Sequence, residues 1–399
     1  MRGAADGAAG AAGDQAPRPM PLAGVHVVAL EQAVAAPLCT RHLADLGADV
    51  IKIERPGGGD FARAYDSAVL SQSAYFVWLN RGKRSVTLDV QSDGGRAALD
   101  GLLDRADIFV SNLGPGAVGR LGLDEETLAR RWPRLISCAI SGYGADGPYR
   151  DRKGFDLLLQ GESGLTATTG TADAPAKVGI SIADIAAGMY ALSSILAALR
   201  DRDASGRGAS IDISMLDCLA EWMMVPMYLE MYGGGAPPRS GMRHASIVPY
   251  GPFAVADGSV NLAVQTDGQW RRLCASVLDR AALADDPRYA TNELRVRNRA
   301  TLEPLIEGLL AVQEQAEVTA RLERADVPFG AVNTVAGLVG HPQLTQRERW
   351  FEVDSEGGPV RALIPPFGIR GVPVRAGTIP SAGQHTDEVM DELREDGRG

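Results

Sequence analysis

From Leu22 onward, short apolar runs of β-type residues alternate with helical patterns of about 10 to 13 residues, and this alternation constrains the fold more than any other feature of the chain. Residues 25–30 read as a buried strand, 37–46 as a short helix stopped at Gly47, and 50–53 as a second strand. Strand patterns at 85–88, 108–110 and 135–140 continue the series, with helical patterns at 94–106 and 123–132 between them. Parallel neighbours cannot be joined by a tight turn and need a crossover of roughly a dozen residues, which these helices supply. The first half is therefore expected to be a doubly wound, Rossmann-like α/β domain with a mostly parallel sheet.

A helix at 184–200, a strand at 209–214 and a long helical pattern at 215–232 lead to a Gly/Pro-rich break at 233–238. Beyond it the character changes. Residues 253–264 read as a hairpin around Asp257-Gly258, and helices follow at 302–310 and 315–324, the pattern of a smaller α+β domain. After Pro328 and Gly330 the chain reads as short strands and turns, ending in the segment 383–390. At 399 residues the chain exceeds what one hydrophobic core usually serves, so two domains are expected. Residues 1–20 are rich in Ala and Gly and lack the apolar stretch of a signal peptide, so they are expected to form a disordered tail on a cytoplasmic protein.

Lys and Arg number 40 against 50 Asp and Glu, a formal charge of −10, which is opposite in sign to a nucleic-acid footprint. The longest uncharged apolar run, 185–199, falls short of the roughly 20 residues a bilayer requires, so no membrane span is expected. Cys39, Cys138, Cys218 and Cys274 lie far apart with no CxxC and read as buried thiols. The five histidines are equally scattered, and no metal site is assigned.

Two features carry chemistry. The segment 52–60 follows the second strand, and Lys83, Arg84, Arg120 and Lys153 recur near other strand ends or loops; together they would suit a phosphorylated anion, and each alone also reads as solvated surface charge. Ser181 and Asp184 open the helix at 184–200 with capping-box spacing. Asp184 is either part of that cap or a carboxylate nucleophile kept ionised by the amides of the helix N-terminus, and Gly188 one turn on would leave room for a reacting group.

The residues Gln32-Ala33, 47–55, 80–85, 112–116, Gly206-Arg207-Gly208 and 383–388 are similar to the motifs of the class III CoA-transferases, the formyl-CoA, crotonobetainyl-CoA and mesaconyl-CoA type, which include the α-methylacyl-CoA racemases. The resemblance runs from Leu22 to Glu388. It implies a large Rossmann-like CoA-binding domain begun by 21–224 and completed by 332–399, a small domain over 225–331 inserted between, and two chains interlocked as a homodimer. It also implies acyl-CoA and a small carboxylic acid as substrates, with no permanently bound cofactor. Carried over residue by residue, the catalytic aspartate is Asp184, and CoA is contacted by Gln32, Ala33, Arg55, Leu88, Asn112, Leu113, Arg120 and Lys153. Phe155 and Asp156 line the acyl pocket. Residues 240–246 replace the Gly-rich loop of the formyl-CoA enzymes and bring Arg243 and His244 to where a dicarboxylate acyl group would lie.

Racemisation on this scaffold needs an acid/base pair across the α-carbon, and the racemases carry a histidine where this chain has Phe155. CoA transfer needs one carboxylate that accepts the acyl group, a held thiolate and exclusion of water. The expectation is therefore a CoA-transferase, with a racemase or a non-catalytic acyl-CoA-binding protein as alternatives. A NAD enzyme is a poorer match, since no glycine fingerprint follows the first strand.

Overall fold

The apolar runs of the first half, with one later segment, form six parallel strands: β1 (His26–Leu30), β2 (Asp49–Glu54), β3 (Lys83–Thr87), β4 (Ile108–Ser111), β5 (Ile136–Ser141) and β6 (Ser210–Ser214). Their order in the sheet is β3-β2-β1-β4-β5-β6. The structure is a computed structural model and describes residues 18–375 and 377–395. Of the tail expected over 1–20, residues 1–17 lie outside the described residues, and Arg18 donates its amide to Gly371 O at 3.3 Å.

The chain divides into two compact units. Of the described residues, the first holds the parallel sheet and comprises those up to Gly154, Ala183–Cys218 and those from Glu348 onward; the second comprises Phe155–Ile182 and Leu219–Arg347. In the first unit Val28, Ile51, Ile53, Val86 and Phe109 of the sheet pack against Leu99 and Leu102 of the helix Asp93–Leu103 and Val389 and Leu393 of the helix Thr386–Glu395. That last helix replaces the turns expected at the C-terminus. It earns its place through Val389 and Leu393, whose i,i+4 spacing puts both on one face.

The helix Ile182–Ser205 has 24 residues. Length and composition alone would let it cross a membrane, against the expectation drawn from the shorter uncharged run. Its inner face is nonetheless packed in protein: Ala183, Ala186, Ala187, Gly188, Ala191 and Ile195 are buried, and Arg202 in its last turn pairs with Asp107 at 2.9 Å.

In the second unit β7 (Tyr250–Val255), β8 (Gly258–Ala263) and β9 (Phe329–Gly330) form an antiparallel sheet, with β7 and β8 joined across Ala256-Asp257. Phe253, Val260, Leu262, Trp270, Leu302, Ile306 and Leu322 make its core. The expected single helix at 215–232 is two, Met215–Trp222 and Met224–Tyr232, parted at Met223.

Candidate active site

The sheet order reverses at β1, whose neighbours are β2 and β4, so the ends of β1 and β4 diverge into the crevice where open α/β sheets receive ligands. Gln32 and Asn112 close this crevice reciprocally. The Gln32 amide donates to Asn112 Oδ1 at 2.9 Å, and Asn112 Nδ2 donates to the Gln32 carbonyl at 2.8 Å. Ala33 follows with φ +61°, a left-handed conformation usually left to glycine, and its amide donates to Asp60 Oδ1 at 3.1 Å. Three of the expected CoA-contacting residues are thus brought together at one switch point.

Beneath it lies a set of buried ions. Lys52 pairs with Asp60 at 2.8 Å, and Glu31 is shared by Lys83 at 2.7 Å and Lys52 at 3.4 Å while accepting from Thr40 Oγ1 at 2.6 Å. Burial alone would raise the Glu31 carboxyl, but Lys83 and Lys52 overrule it and hold it below the usual range. Burial pulls the Lys83 ammonium down to about 8, against the attraction of Glu31 and with the repulsion of Lys52. Glu54 is a third buried anion. Burial opposes its charge, yet Arg63, Lys52 and Ser85 bring it to about 2.

These contacts correct part of the sequence reading. Lys52 and Lys83 are fully buried and matched by carboxylates, and Arg84 is spent on Asp49 and Glu392 at 3.0 and 2.7 Å, so none of the three is offered to a phosphate. Arg55, Arg120 and Lys153 are exposed. Arg55 Nε donates to Gly59 O at 3.1 Å, and Arg120 ends the short helix Ala117–Arg120. Leu88 and Leu113 are half-buried at the rim of the sheet core.

Asp184 stands in the first turn of Ile182–Ser205, the third helical residue, with Ser181 at the N-cap position. The next residue, Ile185, packs with Val34, Leu38 and Leu79 in a cluster that also holds Ala33, which ties the start of this helix to the switch-point turn. Tyr65 belongs to the same neighbourhood. Burial first, then the charges of Asp60 and Asp184, push its hydroxyl up to about 12, and its ring meets Tyr75 edge-on at 5.5 Å. Gly188 does not make room for a substrate: a Cβ there would stand 2.6 Å from the Ala35 carbonyl, so the glycine serves close packing of this helix on Ala35–Asp45.

Sequence reasoning missed Glu31, Asp60 and Tyr65. A usable signal for Asp60 was the run Gly57-Gly58-Gly59, all three at positive φ (76°, 151° and 65°), which turns the chain back so that Asp60 meets Lys52 eight residues earlier.

The remaining candidates belong to the second unit. Phe155 is 58% exposed at the N-cap position of Asp156–Glu162, and Asp156 accepts from Gln160 Nε2 at 2.8 Å. Arg243 lies over the Phe253 ring at 4.2 Å and pairs with Glu303 at 3.4 Å and Glu307 at 3.2 Å. Its charge is already matched, which does not fit a guanidinium waiting for a substrate carboxylate. His244 is exposed, stacks on Tyr250 at 5.1 Å, and accepts the Ser246 amide through Nδ1 at 3.0 Å.

A model of CoA-transferase family III matches residues 22–386. A succinate–glutarate CoA-transferase from Agrobacterium fabrum is 36% identical over 390 residues, covering 95% of this chain and 97% of its own. A succinyl-CoA:mesaconate CoA-transferase from Haloarcula hispanica is 33% identical, covering 93% of this chain and 96% of its own. Among solved structures, a CAIB/BAIF family protein from Brucella suis superposes with a TM-score of 0.81 at 36% identity, covering 94% of this chain and all of that one.

Proposed function

The chain belongs to CoA-transferase family III, and on that premise we propose that it moves CoA between a dicarboxylic acyl-CoA and a free dicarboxylic acid through a covalent intermediate on Asp184. The relatives named for succinate, glutarate and mesaconate support the substrate class. What carries the choice of Asp184 is its position in the first turn of Ile182–Ser205, one residue before Ile185, which packs against the same apolar cluster as Ala33. A carboxylate there is favoured by the helix N-terminus.

In this reading a carboxylate oxygen of Asp184 attacks the thioester carbonyl, the C–S bond breaks, and the CoA thiolate departs, leaving a mixed anhydride. The thiolate returns to the aspartyl carbonyl, the first acid leaves as its carboxylate, and Asp184 becomes an aspartyl-CoA thioester. The second acid attacks that carbonyl to form a new anhydride, and the thiolate then takes its acyl group and restores Asp184. No net proton is consumed, so the protein mainly has to hold the thiolate and exclude water. Gln32, Ala33, Arg55, Leu88, Asn112, Leu113, Arg120 and Lys153 are assigned to CoA, and Phe155, Asp156 and His244 to the acyl side. Arg243 is not assigned a substrate carboxylate.

The test is CoA exchange from succinyl-CoA to glutarate, mesaconate, oxalate and acetate, followed by mass spectrometry. Stoichiometric glutaryl- or mesaconyl-CoA is expected, as is a hydroxamate confined to the peptide bearing Asp184 after treatment with succinyl-CoA and hydroxylamine. Equal turnover of acetate would overturn the dicarboxylate class. Absence of exchange with every acid would overturn transfer itself.

A cytoplasmic homodimer completes the proposal. Trp222, Val225, Tyr228, Met231 and Tyr232 of the second unit are exposed apolar residues that a second copy would cover, and light scattering at the mass of one chain would overturn this.

A further inference from the structure

We propose that Asp60 is a positioning residue for CoA binding, whose single carboxylate holds the turn after β1 and the loop after β2 in register. This rests on the CoA-transferase reading above and extends it to residues that touch no substrate. Asp60 Oδ1 accepts the amides of Ala33 at 3.1 Å and Ala62 at 2.9 Å, while Oδ2 takes Lys52 Nζ at 2.8 Å. The Asp60 amide donates to Glu54 Oε2 at 2.9 Å.

Ala33 is a non-glycine residue at φ +61°, and such a conformation persists only where its surroundings over-determine it. Here they do. Gln32 is held through both its amide and its carbonyl by Asn112, and the next amide, that of Ala33, is held by Asp60. Arg55 is fastened to the same loop, through Nε to the Gly59 carbonyl and through its own carbonyl to the Gly59 amide at 3.2 Å. Loss of Asp60 therefore releases Gln32-Ala33 and the Arg55 loop together. Replacing a buried ion pair by apolar residues of like volume is often neutral or stabilising, so stability alone does not require Lys52 and Asp60. An apolar side chain cannot accept the Ala33 amide.

The test compares two double variants of the full chain, Lys52→Met with Asp60→Asn and Lys52→Met with Asp60→Leu. Both remove the ion pair, but asparagine keeps an oxygen for Ala33 and leucine does not. Calorimetry with CoA, steady-state kinetics with succinyl-CoA and exchange of the Ala33 amide by NMR are measured on each. The leucine form is expected to bind CoA about tenfold more weakly or worse, to keep kcat within about threefold at saturation, and to exchange the Ala33 amide faster. The asparagine form should stay close to wild type. Adding Ala33→Gly to the leucine form should recover part of the affinity, since glycine holds this φ unaided. If the leucine form does not fold, Asp60→Ser in the same background replaces it, its hydroxyl being one bond short of the Ala33 amide. Equal CoA affinity in both doubles, or an equal loss of kcat and affinity in both, would overturn the positioning role. A wild-type chain that does not bind CoA would overturn the transferase reading and this proposal with it; a wild type that binds and doubles that match it would overturn this proposal alone.

Discussion

The second unit buries Phe253, Val260, Leu262, Trp270, Leu302 and Ile306, and Arg295, which bonds Val248 O and Tyr289 O, is the one buried charge among its described residues. The first unit buries Glu31, Lys52, Glu54, Asp60 and Lys83, carried by β2, β3 and the segments that follow β1 and β2. Each buried ion costs several kcal/mol of desolvation, roughly offset only when its partners are well placed, so these charges are not the cheapest way to stabilise a sheet. What they supply is shape. Carboxylates can hold backbone amides in a turn that an apolar core would leave unpaired, and the amides held here are those of Ala33, Asp60 and Ala62 beside the crevice. In the second unit the carboxylates that hold backbone amides, Asp257 for Gln315 and Asp286 for Arg288 among them, are not buried, and its core is built on apolar side chains.

The largest expected effect is on chemistry, and it asks whether Asp184 belongs with the structural carboxylates or apart from them. Asp184→Asn keeps the shape and much of the capping capacity of the side chain but removes the nucleophile. Succinyl-CoA:glutarate exchange should fall by roughly a thousandfold or more, with CoA affinity and the thermal midpoint close to wild type. An unfolded variant would return Asp184 to the capping role, and an active one would remove it from the mechanism.

Glu31→Gln comes next. It leaves Lys83 and Lys52 without the carboxylate they share, and the expected loss is about 3–5 kcal/mol in urea unfolding. The comparison sharpens with a second change: Glu31→Met with Lys83→Met together should recover part of that loss, because no charge is then stranded. No recovery would mean that the ions stabilise the sheet outright. Leu262→Ala in the second unit should cost about 2–4 kcal/mol through the cavity it leaves, with hydrogen-exchange protection lost in β7 and β8. Losses spread instead over β1 to β3 would break the contrast drawn between the units.

The parallel sheet was legible because crossover helices impose a period that apolar runs display directly: strands expected at 50–53, 108–110 and 135–140 lie within Asp49–Glu54, Ile108–Ser111 and within a residue of Ile136–Ser141. The helix Gln315–Arg324 was legible in full because Val318 and Leu322, four residues apart, mark its one buried face. The ion network was not. Glu31 meets Lys52 and Lys83 across 21 and 52 residues, and a lone Lys in a strand carries no local mark of whether it will face a carboxylate or water. Gly188 misled in a related way, since its reason lies on the helix Ala35–Asp45, far away in the chain. Asp184 stood out only because a cap and a nucleophile share one position, and local pattern could not choose between them.

The smallest effect is expected where the C-terminal motif 383–388 meets the sheet, a stretch that the sequence marks without giving it a task. β3 is an edge strand, whose free amides and carbonyls invite pairing with other chains. The motif covers them: His385 N–H donates to Ser85 O at 2.9 Å, Ser85 N–H donates to His385 Nδ1 at 3.2 Å, and Thr87 N–H donates to Thr386 Oγ1 at 3.0 Å. The Ser85 bond requires Nδ1 without a proton. Burial lowers the His385 pKa, with Glu388 opposing and Arg84 assisting, so between that lowered value and about 6.5 the unfolded chain binds the proton more readily than the folded one. Its contribution is therefore full above about pH 6.5 and is lost as pH falls through the folded value; for a ring this exposed it should stay under ~1 kcal/mol. This window is separate from that of Glu54, whose contribution is lost only below its ordinary 4.5, toward about 2. His385→Gln keeps an acceptor that does not titrate, so the difference in urea midpoint between wild type and variant should shift as pH is lowered from about 7.5 to 5. A difference that stays constant over that range would mean that the ring is not the acceptor for Ser85 and that the edge of β3 is held by backbone and Thr386 alone.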